Sequence, residues 1–121
     1  MPTPAFSCGL EAALSVLGGK WKLLILFHLG RGTRRFGELR RLVVGVSEKV
    51  LIQHLRELVS DGVVARTDFG EIPPRVEYAL TPFGRSLTAA LGPLCAWGEA
   101  HGEQLAALKD QRETAHAPAQ T

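Results

Sequence analysis

The sequence predicts a mainly α fold with one small β-hairpin, an α+β arrangement, from three patterns in succession. Apolar residues recur at helical spacing in several segments before residue 61. Two short segments rich in β-branched and aromatic residues follow at 63–67 and 75–80. Leucines then recur at helical spacing from Leu87 to Leu108, which predicts a long final helix. With 121 residues, 45% of them hydrophobic, the chain is long enough for one domain with its own core.

The first half of the chain contains three predicted helices. A helix over 10–17 ends at a pair of glycines, since glycine tolerates the left-handed conformation that terminates helices. The helix that begins at Lys20 is apolar nearly all round and should be the central helix of the core. After a brief extended segment at 33–36, a third helix begins at Phe36 and is broken by Gly45.

The segment from Ser47 to Asp61 predicts a helix with two contrasting faces. Ser47 suits the N-cap, because its hydroxyl can accept from an unpaired backbone N–H of the first turn. Three leucines recur on the face predicted to be buried, at positions 51, 55 and 58. The opposite face carries side chains that donate hydrogen bonds to base edges and phosphates: Lys49, Gln53 and Arg56. Taken alone, this polar face also suits an ordinary solvated helix.

The order of these elements predicts a winged helix-turn-helix. The third helix, a short turn and the helix after Ser47 form the helix-turn-helix, and the hairpin supplies the wing. Pro73 and Pro74 belong in the hairpin loop, outside the ladder, because proline lacks an N–H donor. Thr81 and Pro82 are suited to start the final helix.

The final helix carries more apolar surface than a small core can cover, so the sequence predicts that a second subunit covers the rest. Gly92 and Pro93 should kink this helix, since proline removes one backbone hydrogen bond. We therefore expect a single domain over residues 1–108 that includes its dimerisation helices. The polar, aperiodic residues 109–121 are expected to be a disordered tail.

The charge of the chain is concentrated in one segment. The formal net charge is only +2, yet residues 20–41 contain seven basic residues against Glu38, which gives that segment +6. Such a concentration creates an electropositive surface and makes nucleic acid a natural partner. A membrane-binding helix would instead need basic residues beside an exposed apolar face, whereas these flank a face predicted to be buried.

Other classes of protein are disfavoured by the sequence. The longest uninterrupted apolar stretch, Leu23 to Phe27, is far too short to span a bilayer, and the amino terminus does not resemble a signal peptide, so we expect a cytoplasmic protein. Two cysteines and four histidines show no metal-ligand spacing. His28 lies in the apolar second helix and is interpreted as a core histidine. No arrangement of Ser, His and Asp indicates catalysis, so neither a metal, a cofactor nor an enzymatic activity is expected.

Five stretches of the chain, covering about residues 8–98, carry a family resemblance. They are CGLEAALSVLGGKWKLLILFHL (8–29), RRFGELRR (34–41), GVSEKVLIQHLRELVSDGVVART (45–67), EIPPRVEYALTPFGRSL (71–87) and LCAWG (94–98). Together they resemble the HxlR-type winged-helix transcriptional regulators of bacteria and archaea. The resemblance implies a homodimeric DNA-binding protein that pairs through the amino-terminal segment and the last helix. It also implies that an amino-terminal cysteine is a candidate sensor of oxidants or electrophiles.

Three positions depart from the family pattern. Ile52 stands where the family commonly has threonine, His54 where a basic or polar residue is usual, and the pair Gly92 and Pro93 where helix formers are commoner. These departures predict that the DNA sequence preference and the dimer geometry differ from those of other members.

The candidate DNA-binding residues fall into three groups. Those of the recognition helix are Ser47, Lys49, Ile52, Gln53 and Arg56. Those of the wing are Arg66 and Arg75. Those expected to hold the phosphate backbone are Lys20, Lys22, Arg34, Arg35, Arg40 and Arg41.

Several of these roles have alternatives that the sequence leaves open. Ile52 either meets a thymine methyl group or packs under the wing, and Ser47 can both cap its helix and reach a phosphate. Arg75 either binds DNA or pairs with Glu71 or Glu77.

Cys8 lies just before the first predicted helix, where the helix dipole stabilises a thiolate. It is the redox-sensor candidate, and the alternative is a small buried hydrophobic residue. A bond between Cys8 and Cys95 of two subunits is a further possibility, because both lie on the segments expected to form the dimer.

The leading hypothesis is a homodimeric regulator that binds near-palindromic double-stranded DNA and responds to a small electrophile or oxidant through Cys8. One alternative is a winged-helix module that binds an acidic protein partner without sequence-specific DNA binding. Another is a thiol enzyme using Cys8, which the lack of a paired base or a CxxC motif disfavours.

Overall fold

The computed structural model describes residues 8–116. The elements in chain order are α1 (Gly9–Leu17), α2 (Lys20–Leu29), β1 (Arg34–Arg35), α3 (Phe36–Leu42), α4 (Glu48–Ser60), β2 (Val64–Asp68), β3 (Val76–Leu80), α5 (Pro82–Ala100) and α6 (Gly102–His116). The chain divides into two compact units between Thr88 and Ala89, inside α5. The single domain over residues 1–108 that the sequence predicts stays a prediction.

The core of the first unit is built around α2, as the sequence predicts. Ile25, Leu26 and Leu29 of this helix are buried, together with leucines and valines from α3, α4 and the strands. The preceding helix α1 ends at Gly18, whose φ of +55° is the left-handed conformation expected of a terminating glycine. Two glycines between α1 and α2 thus allow the sharp change of direction, 82°, between the two helices.

The sheet has three antiparallel strands in the order β1-β3-β2. The hairpin of β2 and β3 is in register from Val64 opposite Leu80 to Asp68 opposite Val76. The brief extended segment expected at 33–36 contains strand β1, in which Arg34 pairs with Tyr78 of β3. This strand attaches the entrance of the helix-turn-helix to the base of the wing.

Thr81 joins the end of the wing to the start of α5. Its hydroxyl donates to the carbonyl oxygen of Gly62 at 2.6 Å and accepts from the backbone N–H of Gly84 at 3.0 Å. Gly84 is buried, and a Cβ atom at this position would lie 2.1 Å from the carbonyl oxygen of Val63. The N-cap expected at Thr81 is confirmed.

The last part of the chain differs from expectation in two ways. The expected single long helix is two helices, α5 and α6, separated at His101, and Pro93 lies inside α5. The residues expected to be disordered are helical from 109 to 116, since α6 continues to His116. Residues 117–121 of that expected tail lie outside the described residues.

Within residues 8–116, no single helix is both long and apolar enough to cross a membrane. Only the strongly bent pair of α1 and α2 reaches the required length and composition, and only when the two helices are counted together.

Candidate nucleic-acid interface

The helix-turn-helix consists of α3, a turn over residues 43–47, and α4. Ser47 caps α4 as expected, because its hydroxyl oxygen accepts from the backbone N–H of Val50 at 3.1 Å. Gly45 in the turn has a φ of +93°, which other residues rarely adopt. Arg40 of α3 forms an exposed ion pair with Glu48 of α4 at 3.3 Å, so charge as well as packing links the two helices.

Helix α4 has the two faces that its sequence predicts. Leu51, Leu55 and Leu58 are buried in the core of the first unit, which fixes the rotation of the helix about its axis. As a consequence of this rotation, the opposite face is turned outward, and all of its predicted DNA-binding side chains are exposed: Lys49, Ile52, Gln53 and Arg56. The helix therefore presents polar donors on a rigid support.

Ile52 lies at the edge of this outward face, beside the wing. It is 37% exposed and lines an open groove of about 470 Å³ together with Arg56, Arg66 and Tyr78. The side chain thus contacts the groove between α4 and the wing strands while keeping apolar surface in the open.

Arg75 at the end of the wing loop is paired within the protein. Its Nε donates to the Glu77 carboxylate at 3.0 Å, its Nη1 lies 3.5 Å from Glu71, and its guanidinium lies 4.0 Å from the ring centre of Phe69. The alternative pairing of Arg75 is therefore present in the free protein, and a DNA contact requires it to exchange these partners for phosphates. Arg66 on β2 is exposed.

The basic residues in and around α3 differ in their exposure and in their contacts within the protein. Arg35 and Arg41 are exposed, and no ion pair of theirs is seen among residues 8–116. Arg34 is partly buried, with its Nε 3.5 Å from the His28 carbonyl oxygen and its Nη1 3.9 Å from Glu38. Lys20 is exposed with its ammonium group 4.6 Å from the ring centre of Trp21. All four remain candidates for phosphate contact.

The prediction that Lys22 contacts the phosphate backbone is contradicted by the structure, because the side chain is not accessible to a phosphate. Its side chain is buried, with the residue only 5% exposed, and its Nζ lies 2.5 Å from Oε2 of Glu57 in α4. Sequence analysis counted every basic residue of segment 20–41 as surface charge, whereas Lys22 lies on the side of α2 that faces α4.

Glu57 contacts a predicted base-reading residue, and the sequence did not single it out. Besides Lys22 it binds Gln53, whose Nε2 donates to Oε1 of Glu57 at 2.8 Å. The pKa of Glu57 is lowered, chiefly by the hydrogen bond from Lys22 and next by that from Gln53. The spacing of four residues between Gln53 and Glu57 on one helix was the available signal, since such pairs are neighbours on a helix surface.

His28 is partly buried in α2, which agrees with its interpretation as a histidine of the packed interior. Its ring packs edge-on against Phe27 with the ring centres 5.1 Å apart. Burial is the main cause that lowers its pKa, and the positive charges of Arg34 and Arg31 lower it further.

Both cysteines are free and exposed. Cys8 is the N-cap residue of α1, directly before the first helical residue. Its exposure disagrees with the alternative of a buried hydrophobic residue. Cys95 lies in α5 with its Sγ 3.8 Å from a carboxylate oxygen of Glu99. In residues 8–116 no group of three or more His, Cys, Asp or Glu side chains is placed to hold a metal ion.

Comparisons with known proteins agree with this geometry. A family model described as HxlR-like helix-turn-helix matches residues 16–106. The HTH-type transcriptional regulator YtcD of Bacillus subtilis (strain 168) is 48% identical over 101 residues, which cover 84% of this chain and 80% of YtcD. The HTH-type transcriptional regulator YtfH of Escherichia coli (strain K12) is 39% identical over 108 residues, covering 89% of this chain and 86% of YtfH.

The similar solved structures include a redox regulator and a protein treated with diamide. The redox regulator HypR in its reduced form has a TM-score of 0.77 and 39% identity, over 83% of this chain and 99% of that chain. Diamide-treated YodB from B. subtilis has a TM-score of 0.65 and 33% identity, over 78% of this chain and 95% of that chain. The order of elements, the outward polar face of α4 and these matches lead to one conclusion: the chain belongs to the HxlR-like helix-turn-helix family and is a DNA-binding transcriptional regulator of the winged-helix type.

Proposed function

We propose that the protein is a homodimeric regulator whose two α4 helices enter successive major grooves of a near-palindromic site in double-stranded DNA. The observation that carries this proposal is the outward face of α4, where Lys49, Gln53 and Arg56 are exposed while the opposite face is locked in the core. Lysine and arginine donate to guanine O6 and N7, and glutamine pairs with adenine, so these side chains suit base reading. This role is not enzymatic, and it belongs to the cytoplasm, where the chromosome of a bacterium or archaeon lies.

The remaining contacts in this proposal go to the phosphate backbone. Arg35 directly before α3 and Arg41 within α3 are exposed cations. The same basic segment also contains Lys20, Arg34 and Arg40, and Ser47 adds a hydroxyl at the start of α4. In the wing, Arg66 is exposed and Arg75 would exchange its carboxylate partners for phosphate oxygens. Acidic Asp68 and Glu71 near the wing tip disfavour deep insertion into a minor groove.

Dimer formation is supported by apolar surface that the chain leaves exposed. Leu10 and Leu14 of α1 are 70% and 54% exposed, and Leu94 and Trp97 of α5 are 60% and 54% exposed. Large apolar side chains left exposed on a helix mark an interaction surface, and each of these two helices carries such side chains. Sedimentation should give a dimer for the full chain and a monomer for the variant Leu94→Glu/Trp97→Glu; a wild-type monomer would overturn the dimer.

The experiment that tests DNA reading is selection of bound duplexes from a random-sequence pool, followed by affinity measurements at several salt concentrations. We expect enrichment of one near-palindromic site and an affinity that falls steeply as salt rises, since phosphate contacts release counterions. If no sequence is enriched, the alternative of a winged-helix module that binds an acidic protein is favoured. An affinity independent of salt would remove the phosphate contacts from the proposal.

A response to oxidants or electrophiles through Cys8 is the finer part of the proposal. Its support is an exposed thiol at the N-cap of α1, where unpaired backbone N–H groups favour a thiolate, and the likeness to HypR and YodB. Diamide should change the DNA affinity of the wild type and of Cys95→Ser but not that of Cys8→Ser. A response retained in Cys8→Ser would exclude Cys8 as the sensor, and one lost in both variants would indicate a Cys8–Cys95 bond.

A further inference from the structure

Glu57 connects the core of the first unit to the outward face of α4. Its Oε2 lies 2.5 Å from Nζ of Lys22, which comes from α2. Its other oxygen, Oε1, accepts from Nε2 of Gln53 at 2.8 Å, one helical turn earlier on α4. Each carboxylate oxygen thus has its own donor, and a chain of contacts runs from a buried cation to a predicted base-reading amide.

The buried end of this chain is held firmly. Lys22 is 5% exposed, and the C-terminal turn of α1 lies beside it, since a Cβ atom added at Gly18 would lie 3.4 Å from Nζ. A lysine enclosed in this way has less conformational freedom than a lysine on the surface. The carboxylate bound to it is therefore a fixed acceptor rather than a freely rotating one.

A fixed carboxylate determines which way the Gln53 amide faces. The pKa of Glu57 is lowered, chiefly because Lys22 donates to it, so the group is ionised at neutral pH and can only accept hydrogen bonds. The amide must then turn its NH₂ group toward Glu57, because the reverse orientation would place two oxygens in contact. Gln53 is exposed, so its carbonyl oxygen and second N–H stay free on the outward face.

We propose that Lys22 and Glu57 are positioning residues that orient Gln53 to read adenine at one base pair of each half-site. Adenine offers an acceptor, N7, beside a donor, the N6 amino group, and this pair matches the free N–H and carbonyl of the oriented amide. Guanine offers two acceptors at the same edge, so the oriented carbonyl would face another oxygen. Holding the side chain before binding also reduces the conformational entropy lost when the complex forms.

This inference rests on the proposed DNA-reading function and adds a residue-level account of its specificity. The simpler alternative is that the Lys22–Glu57 pair only ties α2 to α4. A tie of that kind would affect every base position alike, whereas orientation of Gln53 affects only the position that Gln53 reads. The two alternatives therefore predict different losses of base preference along the site.

The test uses the full chain and the site that the wild type selects from a random pool. Affinities are measured for all four base pairs at each position, and the position read by Gln53 is the one where Gln53→Ala loses its preference. The positioning pair is removed as Lys22→Met/Glu57→Leu, which leaves no buried charge unpaired. The matched control is Lys109→Met/Glu113→Leu, which removes a surface ion pair of α6 by the same substitutions.

We expect the wild type and the control to prefer adenine at that position about tenfold or more, the range of a bidentate base contact. The preference should fall to about threefold or less in Lys22→Met/Glu57→Leu, with other positions and non-specific affinity unchanged. Adding Gln53→Ala to this variant should remove only the preference, about threefold or less, that remains at that position. A preference kept at the wild-type level, or a loss spread over all positions, would overturn the inference.

Two additions keep the outcomes distinct. If Lys22→Met/Glu57→Leu does not unfold cooperatively, Lys22→Met/Glu57→Gln replaces it. The neutral amide at position 57 lets the Gln53 amide turn either way, so the preference for adenine over guanine should fall in this variant too. An unchanged preference would overturn the inference. If the wild type selects no sequence at all, the proposed function itself fails. If the wild type selects a site but the variants keep its preference, only the positioning role fails.

Discussion

At the scale of single residues, burial decides which basic side chains of this protein can meet a phosphate. Lys22 and Lys49 are the same residue type, but Lys22 is enclosed and paired with Glu57 while Lys49 is exposed on α4. The sequence gives the charge of a residue and the approximate face of its helix. It does not give the partner across the interface of two helices, and for that reason Glu57 was missed.

His28 should make the stability of the protein depend on pH. Its pKa in the folded protein lies below the ordinary value of 6.5, mainly because of burial, so the unfolded chain binds the proton more readily. The stability it contributes is complete above pH 6.5 and is lost as the pH falls from there through the folded pKa. Urea unfolding at several pH values from 7 to 5.5 should show a smaller decline for His28→Gln than for the wild type; equal declines would contradict this assignment.

Gly84 at the start of α5 should tolerate no larger residue. In Gly84→Ala the new Cβ would lie 2.1 Å from the carbonyl oxygen of Val63, so the backbone must move. We expect a loss of about 1–3 kcal/mol in the free energy of unfolding, as for overpacked sites. Gly98→Ala in the same helix is the control, because no atom lies within 4 Å of its added Cβ and alanine favours helix by up to about 1 kcal/mol. Equal effects of the two substitutions would contradict the packing of Gly84.

At the scale of elements, the sequence predicts best where one local signal and one packing requirement agree. Helix α4 has a capping serine and three leucines at helical spacing, and the structure confirms both the cap and the buried face. The final helix has the same apolar spacing, but most of its apolar side chains are not buried within one chain, so no packing requirement fixes where the helix ends. Its interruption at His101 and its extension to His116 were therefore not predicted. The sequence predicts the brief extended segment that forms β1, but not its pairing with β3, because that pairing is a long-range contact.

Ser47→Ala tests the start of α4. The substitution removes the hydroxyl that accepts from Val50, which should lower the free energy of unfolding by about 0.5–2 kcal/mol. Ser60→Ala at the other end of the helix is the control, with an expected change within about 0.5 kcal/mol. Urea denaturation at a fixed protein concentration measures both, because a dimer would make stability depend on concentration. A Ser47→Ala variant as stable as Ser60→Ala would show that the cap contributes nothing.

At the scale of the whole molecule, the proposed function divides affinity and sequence choice between different parts of the protein. In that proposal the exposed arginines Arg35 and Arg41 attract any DNA sequence, while the outward face of α4 selects among sequences. The proposed dimer would set the spacing of the half-sites.

Replacing two of the arginines proposed to contact phosphates tests this division. Arg35→Ala/Arg41→Ala should weaken binding to every duplex by a similar factor and reduce the dependence of log affinity on log salt by up to about two units per subunit, since each phosphate contact contributes about 0.9. The selected sequence should stay the same. Affinity titrations at four salt concentrations measure both, and a change in the selected sequence would show that these arginines also read bases.

The most direct test of the central claim is selection from a random duplex pool by the wild type and by Lys49→Ala/Gln53→Ala/Arg56→Ala under identical salt. Since the three side chains are exposed, the variant should fold as the wild type does, which thermal unfolding checks. We predict that the wild type enriches one near-palindromic site, and that the variant still binds DNA without enriching that site. Enrichment of the same site by both proteins would contradict the assignment of base reading to the outward face of α4.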